Sequence, residues 1–272
     1  MKMSSRHLVL SAMLLLGACS SQPPAPEIHE SLNAGLWTQT AAEYEASTTQ
    51  AYRVAMENLD HALADPLWAA ALEQQGSYAD LPPAVLLDID QSVLDNSGYN
   101  TQLILDGEQH SMERFAAWCE AFAPVIPGVQ AFMEYASGRG VTIAYYSARP
   151  ESLRDCTSRN LEAYGLPLDD SSLLLLNDGT PASSKERQRA DLARHYRILL
   201  LVGDNLDDFV SGSRVEPAAR RLLAQQHASR WGREWIILPN PIYGHWEASI
   251  YGFDRTLPRE ERNLRKLQHL HK

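Results

Sequence analysis

The stretch Ala84-Val85-Leu86-Leu87-Asp88-Ile89-Asp90-Gln91-Ser92-Val93-Leu94-Asp95-Asn96-Ser97 decides the fold. Pro82-Pro83 precedes it, four apolar residues follow without a break, and the run stops at two acids spaced by one residue. A short unbroken apolar run is what a strand buried on both faces needs. An acid ending such a strand needs a partner, because an unpaired buried carboxylate is costly. Similar runs recur at Val141 to Tyr146, Leu173 to Leu176, Ile198 to Val202 and Trp235 to Leu238. Between them lie helical stretches, including Glu151 to Tyr164 and Ser184 to Tyr196. Strands of this kind alternating with helices predict an α/β fold, a parallel sheet with helices on both faces.

The rest of the chain fits around that sheet. At 272 residues and 44% hydrophobic it has enough apolar side chain for a sizeable core, which excludes wholesale disorder. Three cysteines with no Cys-x-x-Cys pair exclude a disulfide scaffold and give no sign of structural zinc. A formal net charge of −10 argues against a nucleic-acid duplex as partner. From Leu36 to Ala79 apolar residues recur at three- and four-residue spacing, as in Trp37, Ala41, Tyr44, Ala51, Val54, Ala55 and Leu59. Asp65-Pro66 breaks that run, and a shorter helix is expected from Trp68 to Leu72. Residues 98–136, with Met112, Phe115, Trp118 and Phe122, read as a helical insertion that caps the carboxyl ends of the strands.

The first 18 residues read as a secretory signal, with Lys2 and Arg6 ahead of the apolar run Leu8 to Leu16. Leu16-Gly17-Ala18-Cys19 resembles the lipobox of bacterial lipoproteins. That resemblance implies cleavage before Cys19, lipidation of its sulfur and new amino terminus, and a membrane as partner. Ser20, where inner-membrane retention uses Asp, implies the bacterial outer membrane. The organisation expected is a signal peptide (1–18), a lipidated cysteine with a Pro-rich tether (19–31) and an N-terminal helical segment belonging to a cap (32–80). A catalytic core (81–240) carrying the insertion follows, and a C-terminal helical segment (241–272) packs with the cap.

In an open parallel sheet ligands bind outside the carboxyl ends of the strands. Asp88 and Asp90 follow the first strand, Ser147-Ala148-Arg149 the second, and Gly203-Asp204-Asn205-Leu206-Asp207-Asp208 the fourth, while Lys185 opens the helix after the third. A lysine is electrostatically disfavoured at a helix start, which points to an anion nearby. Asp-x-Asp-x-Ser, a strand-end serine, a lysine and Gly-Asp-x-x-x-Asp, in this order, resemble the haloacid dehalogenase (HAD) superfamily of phosphotransferases. The longer strings Asp88 to Ser97, Gly203 to Phe209 and Leu238-Pro239-Asn240-Pro241-Ile242-Tyr243-Gly244-His245-Trp246-Glu247 narrow the likeness. With the lipobox they resemble the class C acid phosphatases, surface lipoproteins that remove phosphate from nucleotides and other monoesters.

The resemblance implies a Rossmann-like core with a smaller α-helical cap, and phosphoryl transfer gives each residue a task. Asp88 would be the nucleophile, forming an aspartyl-phosphate. Asp90 would protonate the leaving alkoxide and then deprotonate water, which predicts an acidic optimum. Oxygens of Asp88, of the Asp90 backbone and of Asp204 would hold Mg²⁺, with Asp208 orienting metal-bound water. Ser147 and Lys185 would bind the phosphate, and Arg149 would contact it or pair with an acid. Trp118, Tyr243 and Trp246 would stack on the leaving group or pack the cap.

Several readings stay open. Ser92 and Asp95 serve equally well as helix caps. Cys119 and Cys156 form a disulfide or remain free thiols. The reading leaves room for a homodimer. Ala148 stands where the family commonly has Asn, a departure that bears on substrate preference. The competing function is a surface lipoprotein that binds a ligand without catalysis, which loss of Asp88 or Asp90 would have favoured.

Overall fold

In the computed structural model, which describes residues 29–168, 170 and 173–270, five strands form one sheet. They are β1 (Pro83–Leu87), β2 (Thr142–Pro150), β3 (Leu174–Asn177), β4 (Arg197–Gly203) and β5 (Trp235–Ile237), in the order β3-β2-β1-β4-β5. Every neighbouring pair is parallel. The signal segment, Cys19 and the Pro-rich tether up to residue 28 lie outside the described residues. Among the described residues no helix is long and apolar enough to cross a membrane.

The helices are α1 (Leu32–Thr40), α2 (Ala42–Ala64), α3 (Ser97–Asp106), α4 (Met112–Cys119), α5 (Val129–Ser137), α6 (Arg154–Ala163), α7 (Lys185–Leu192), α8 (Pro217–Gln226), α9 (His245–Ala248) and α10 (Arg259–Gln268). The strands feed two cores, one on each face of the sheet, by alternation except at β4. There Leu199 and Leu200 share a face, at an irregularity in the pairing of β4 with β1. Val85 and Leu87 of β1 pack with Tyr52, Ala55 and Leu59 of α2 and Phe132 and Met133 of α5. Ala84 and Leu86 face the other way, toward Leu192 of α7, Phe209 and Trp235. Both faces of the sheet are therefore covered, and the interior strand β4 is buried along its whole length. Burying one such Leu or Val contributes about 2 kcal/mol. That stripe holds α2 in place, since no side chain caps its N-terminus.

Three local expectations change. The helix expected over Trp68 to Leu72 is absent. Ala70 N–H instead donates to the Ile198 carbonyl (2.8 Å) and the Trp68 indole to the Leu199 carbonyl (2.8 Å), so tertiary bonds to β4 replace the intrahelical ladder. The long N-terminal helix is broken at Ala41, whose ψ of 125° is extended. The expected cap insertion over 98–136 divides in two. Val129, Phe132, Met133 and Ala136 of α5 are buried in the core under β1 and β2, so α5 is the crossover helix of a βαβ unit and covers the sheet. Only α3 and α4 stand over the strand ends.

Candidate active site

Sheet order makes the site. After β3 the chain crosses to the far side of β1, so the carboxyl ends of β1 and β4 flank the point where the winding reverses. Leu87 is paired with Val202, and Asp88 N–H donates to the Val202 carbonyl (2.9 Å). Asp88 and the Gly203-Asp204 step are thereby brought side by side. Asp88, Asp204 and Asp208 can each bring one carboxylate oxygen within 4.8 Å of the others.

The loop after β1 is held by its own polar side chains. Gln91 takes a left-handed conformation (φ 60°), unusual for a residue with a β carbon. Its amide donates to the Tyr44 hydroxyl (3.2 Å) and to Asp95 (3.1 Å), and its carbonyl accepts from Asn96 N–H (2.9 Å). This buried set fixes the turn. Ser92 donates to Asp88 (3.0 Å), and Asp95 accepts from the Ser97 N–H (2.7 Å) in a turn contact just ahead of α3. The N-cap of α3 is Asn96, so neither residue is the helix cap the sequence allowed.

Two ion-pair systems divide the floor. Lys185 reaches Asp88 at 2.5 Å and also bonds Asp208. Asp208 is held further by the Asn205 N–H (2.8 Å). On the other side Arg149 grips Asp90 with two nitrogens, at 2.8 and 3.0 Å. Its third nitrogen donates to Thr157 (3.0 Å), so this buried guanidinium pairs with the acid, one of the two readings the sequence allowed. Ser147 donates to Asp90 (3.3 Å), and Asn96 donates to it at 2.5 Å.

The electrostatics follow from this crowding. Burial, with the charges of Asp208 and Asp90, outweighs the pull of Lys185 and pushes the Asp88 carboxyl up to about 7. Burial, then Asp88 and Asp208, drives Asp204 well above the ordinary carboxylate range. Burial opposes the Lys185 charge, but Asp208 and Asp88 more than offset it and hold the ammonium protonated. Burial also pushes Asp90 up, but Arg149 and the Asn96 amide outweigh it and leave that carboxyl lowered. Two buried carboxylates, Asp88 and Asp208, beside the half-buried Asp204, all hard oxygen donors crowded together, suit a small divalent cation. Asp88 and Asp204 are the residues that fit as ligands. Asp208 does not line the cleft that Asp88 and Asp204 open into, which suits a supporting position.

The aromatic expectations separate. Tyr243 lines the cleft with these acids, joined by Phe115 and Tyr99. Trp118 does not: its indole donates to Asn96 (3.1 Å) and its ring lies against Gly98, where a β carbon would come within 2.5 Å of it. It supports the loop that carries Asp90 rather than a ring in the cleft. Trp246 is 45% exposed and turns its indole to the carbonyls of Asn240 (3.1 Å) and Tyr243 (3.2 Å). Cys119 and Cys156 are joined in a disulfide between α4 and α6.

Sequence reasoning missed two side chains. Asn96 bonds Asp90 and Trp118 together, and Asn240 donates to Asp204 (2.7 Å). Both stand inside the strings already singled out, yet an Asn before a helix or beside prolines reads first as a cap or turn residue.

Residues 12–246 match the family model of the HAD superfamily, subfamily IIIB (acid phosphatase). The chain belongs to that family. Among solved structures it is similar to the class C acid phosphatase of Bacillus anthracis with tungstate bound. That likeness has 30% identity and a TM-score of 0.80, covering 89% of this chain and 97% of the other. A second structure of the Bacillus anthracis enzyme is similar at 31% identity and TM-score 0.78, with the same coverage. The protein is thus a HAD-type acid phosphatase, a phosphomonoester hydrolase. The reading as a binding protein without catalysis falls away.

Proposed function

We propose that this acid phosphatase hydrolyses nucleoside monophosphates outside the cytoplasm through an aspartyl-phosphate on Asp88, with Mg²⁺ held by Asp88, the Asp90 carbonyl and Asp204. The observation that carries the reading is the convergence of Asp88, Asp204 and Asp208 at the ends of β1 and β4, with Lys185 among them. Bound Mg²⁺ would neutralise charge on the phosphate and on the acids around it.

The chain's own residues would do the rest. The Asp88 carboxylate attacks phosphorus as the bond to the ester oxygen breaks, and Asp90 gives its proton to that oxygen. Asp90 then takes a proton from water, which attacks phosphorus and releases phosphate and free Asp88. Lys185 holds Asp88 and a phosphate oxygen together, and Ser147 donates to another. Because Arg149 keeps the Asp90 carboxyl low, its proton-carrying form is populated in acid, which supports an acidic optimum. Tyr243, Phe115 and Tyr99 offer flat rings to a nucleobase. That the similar Bacillus anthracis enzyme holds tungstate, a tetrahedral oxyanion, supports phosphate binding here. The lipobox around Cys19 supports an outer-membrane lipoprotein.

The test is release of p-nitrophenol from p-nitrophenyl phosphate with and without chelator, in the wild type and in Asp88→Asn. Hydrolysis that needs Mg²⁺ and disappears in the variant is the expected result. Turnover that survives in Asp88→Asn would falsify the nucleophile assignment. A panel of nucleoside monophosphates and sugar phosphates then tests the preference.

A further inference from the structure

The family match ends at residue 246, yet the cleft does not. The chain beyond that point carries six Lys and Arg against four Asp and Glu, in a protein whose overall charge is −10. Tyr251, Arg255, Arg262 and Lys266 from this segment line the same cavity, of about 500 Å³, as Asp88, Asp90 and Lys185. A cavity of that size accommodates a nucleotide.

The charges at this mouth do not cancel. Glu30 is taken by Arg259 (2.6 Å) and Lys266 (3.7 Å), and Glu247 by Lys266 (2.5 Å). Asp254, next to Arg255 in sequence, is turned to the Thr256 N–H (2.9 Å) and hydroxyl (2.6 Å). Arg255 and Arg262 are left without a carboxylate partner among the described residues. Arg262 lies over the Tyr251 ring, 5.8 Å from its centre. The charge of Arg255 reaches His110, a cleft residue that also feels Asp90. The two arginines therefore share one space with the reacting groups.

Guanidinium forks match phosphate oxygens two at a time, and Arg255, exposed, and Arg262, half-buried, present theirs at the rim of this cleft. The scissile phosphate is already served by Lys185 and Ser147 in the function proposed above, on which this inference rests. We infer that Arg255 and Arg262 bind a second phosphoryl group on the leaving half of the substrate. The substrate class favoured by this chain is then the nucleoside bisphosphates, such as those phosphorylated at both 3′ and 5′ positions.

A rim that merely steers anions gives a different result from a second binding site. Steering raises the rate for every anionic substrate, and salt suppresses it for all of them. The experiment compares kcat/KM of the full chain for adenosine 3′,5′-bisphosphate, adenosine 5′-monophosphate and p-nitrophenyl phosphate. It is run in the wild type and in Arg255→Gln/Arg262→Gln. The expected result is a wild-type preference for the bisphosphate of at least about tenfold, lost in the double variant. Hydrolysis of p-nitrophenyl phosphate stays within about twofold. No preference in the wild type, or equal losses on all three substrates, overturns the second site while leaving the phosphatase reading in place. Failure of the wild type to hydrolyse any of the three overturns both.

Discussion

Lys185, the first residue of α7, sits 2.5 Å from Asp88 across 97 positions of chain, and the same ammonium bonds Asp208. A cation at a helix start opposes the helix dipole, so this placement costs energy that the two acids must return. Ser184, one residue earlier, caps the helix through the Arg187 N–H. The helix therefore does not depend on the lysine, and the site does.

Replacing that lysine by an isosteric apolar residue separates the two roles. In Lys185→Met, Asp88 and Asp208 lose a countercharge while remaining almost fully buried, at 5% and 0% side-chain exposure. Breaking a buried pair costs about 3–5 kcal/mol. In the proposed chemistry, loss of a charge that neutralises the transferred phosphate costs about 10² to 10³ in kcat. Thermal melts and steady-state kinetics read the two effects. A variant with wild-type kcat would remove Lys185 from the chemistry.

The raised carboxyl of Asp88 predicts a pH dependence for the metal binding proposed above. Its usual value is 3.8, and in the fold it lies near 7. A carboxyl raised in this way favours the protonated form. Without metal, the fold loses this contribution as pH climbs from about 4 to 7. A divalent cation needs the ionised form and must displace the proton. The rise in Tm on adding Mg²⁺ should therefore be small at pH 5 and grow up to pH 7.5. An increment that stays constant across that range would mean Asp88 is not a ligand.

The disulfide ties the cap to the core beside the catalytic floor. Cys119 ends α4 and Cys156 lies in α6, 37 positions away, and Arg149 reaches the Cys119 sulfur at 3.6 Å. Removing a cross-link over such a loop costs about 2–4 kcal/mol, or about 5–15 °C in Tm for a chain of this size. Because Arg149 also grips Asp90 and faces the Phe115 ring at 5.3 Å, loosening α4 should lower kcat as well. Melts and rates of Cys119→Ser/Cys156→Ser, alongside the oxidised and thiol-reduced wild type, measure both. If the oxidised and reduced enzymes share one Tm and one kcat, the cross-link holds nothing in place.

The sheet was legible because its strands are apolar runs, and after β1, β2 and β4 polar residues mark where the run ends. Asp88, Ser147 and Asp204 stood out for that reason, and Lys185 because a cation opens a helix there. What escaped depended on three-dimensional neighbours. The segment around Trp68 has helical spacing but spends its backbone bonds on β4, and α5 has the spacing of a cap helix but the burial of a core one. Trp118 and Phe115 lie three residues apart on α4, and only the packing of Trp118 on Gly98 assigns the cleft to Phe115. Whether Arg149 meets phosphate or acid depends on the side-chain path of Asp90, which no spacing records.

Gly203 offers a last test, one of space alone. It closes β4 and has an ordinary φ, so its lack of a side chain is not a matter of backbone freedom. A β carbon there would overlap Asp208, coming within 2.5 Å of that residue's own Cβ and Cγ. In Gly203→Ala, Asp208 must move, releasing the Asn205 N–H and one of the two acids on Lys185. Overpacking of this kind costs about 1–3 kcal/mol. Because the displaced group supports the floor of the site, kcat/KM should fall by at least about tenfold. Gly140→Ala is the matched control. It lies before β2, at the opposite end of the sheet, with φ +70° and open space around it. The control should lose about 1 kcal/mol through backbone strain and keep its activity. Equal kcat/KM in the two variants would show that Asp208 can leave its place without consequence for the reaction.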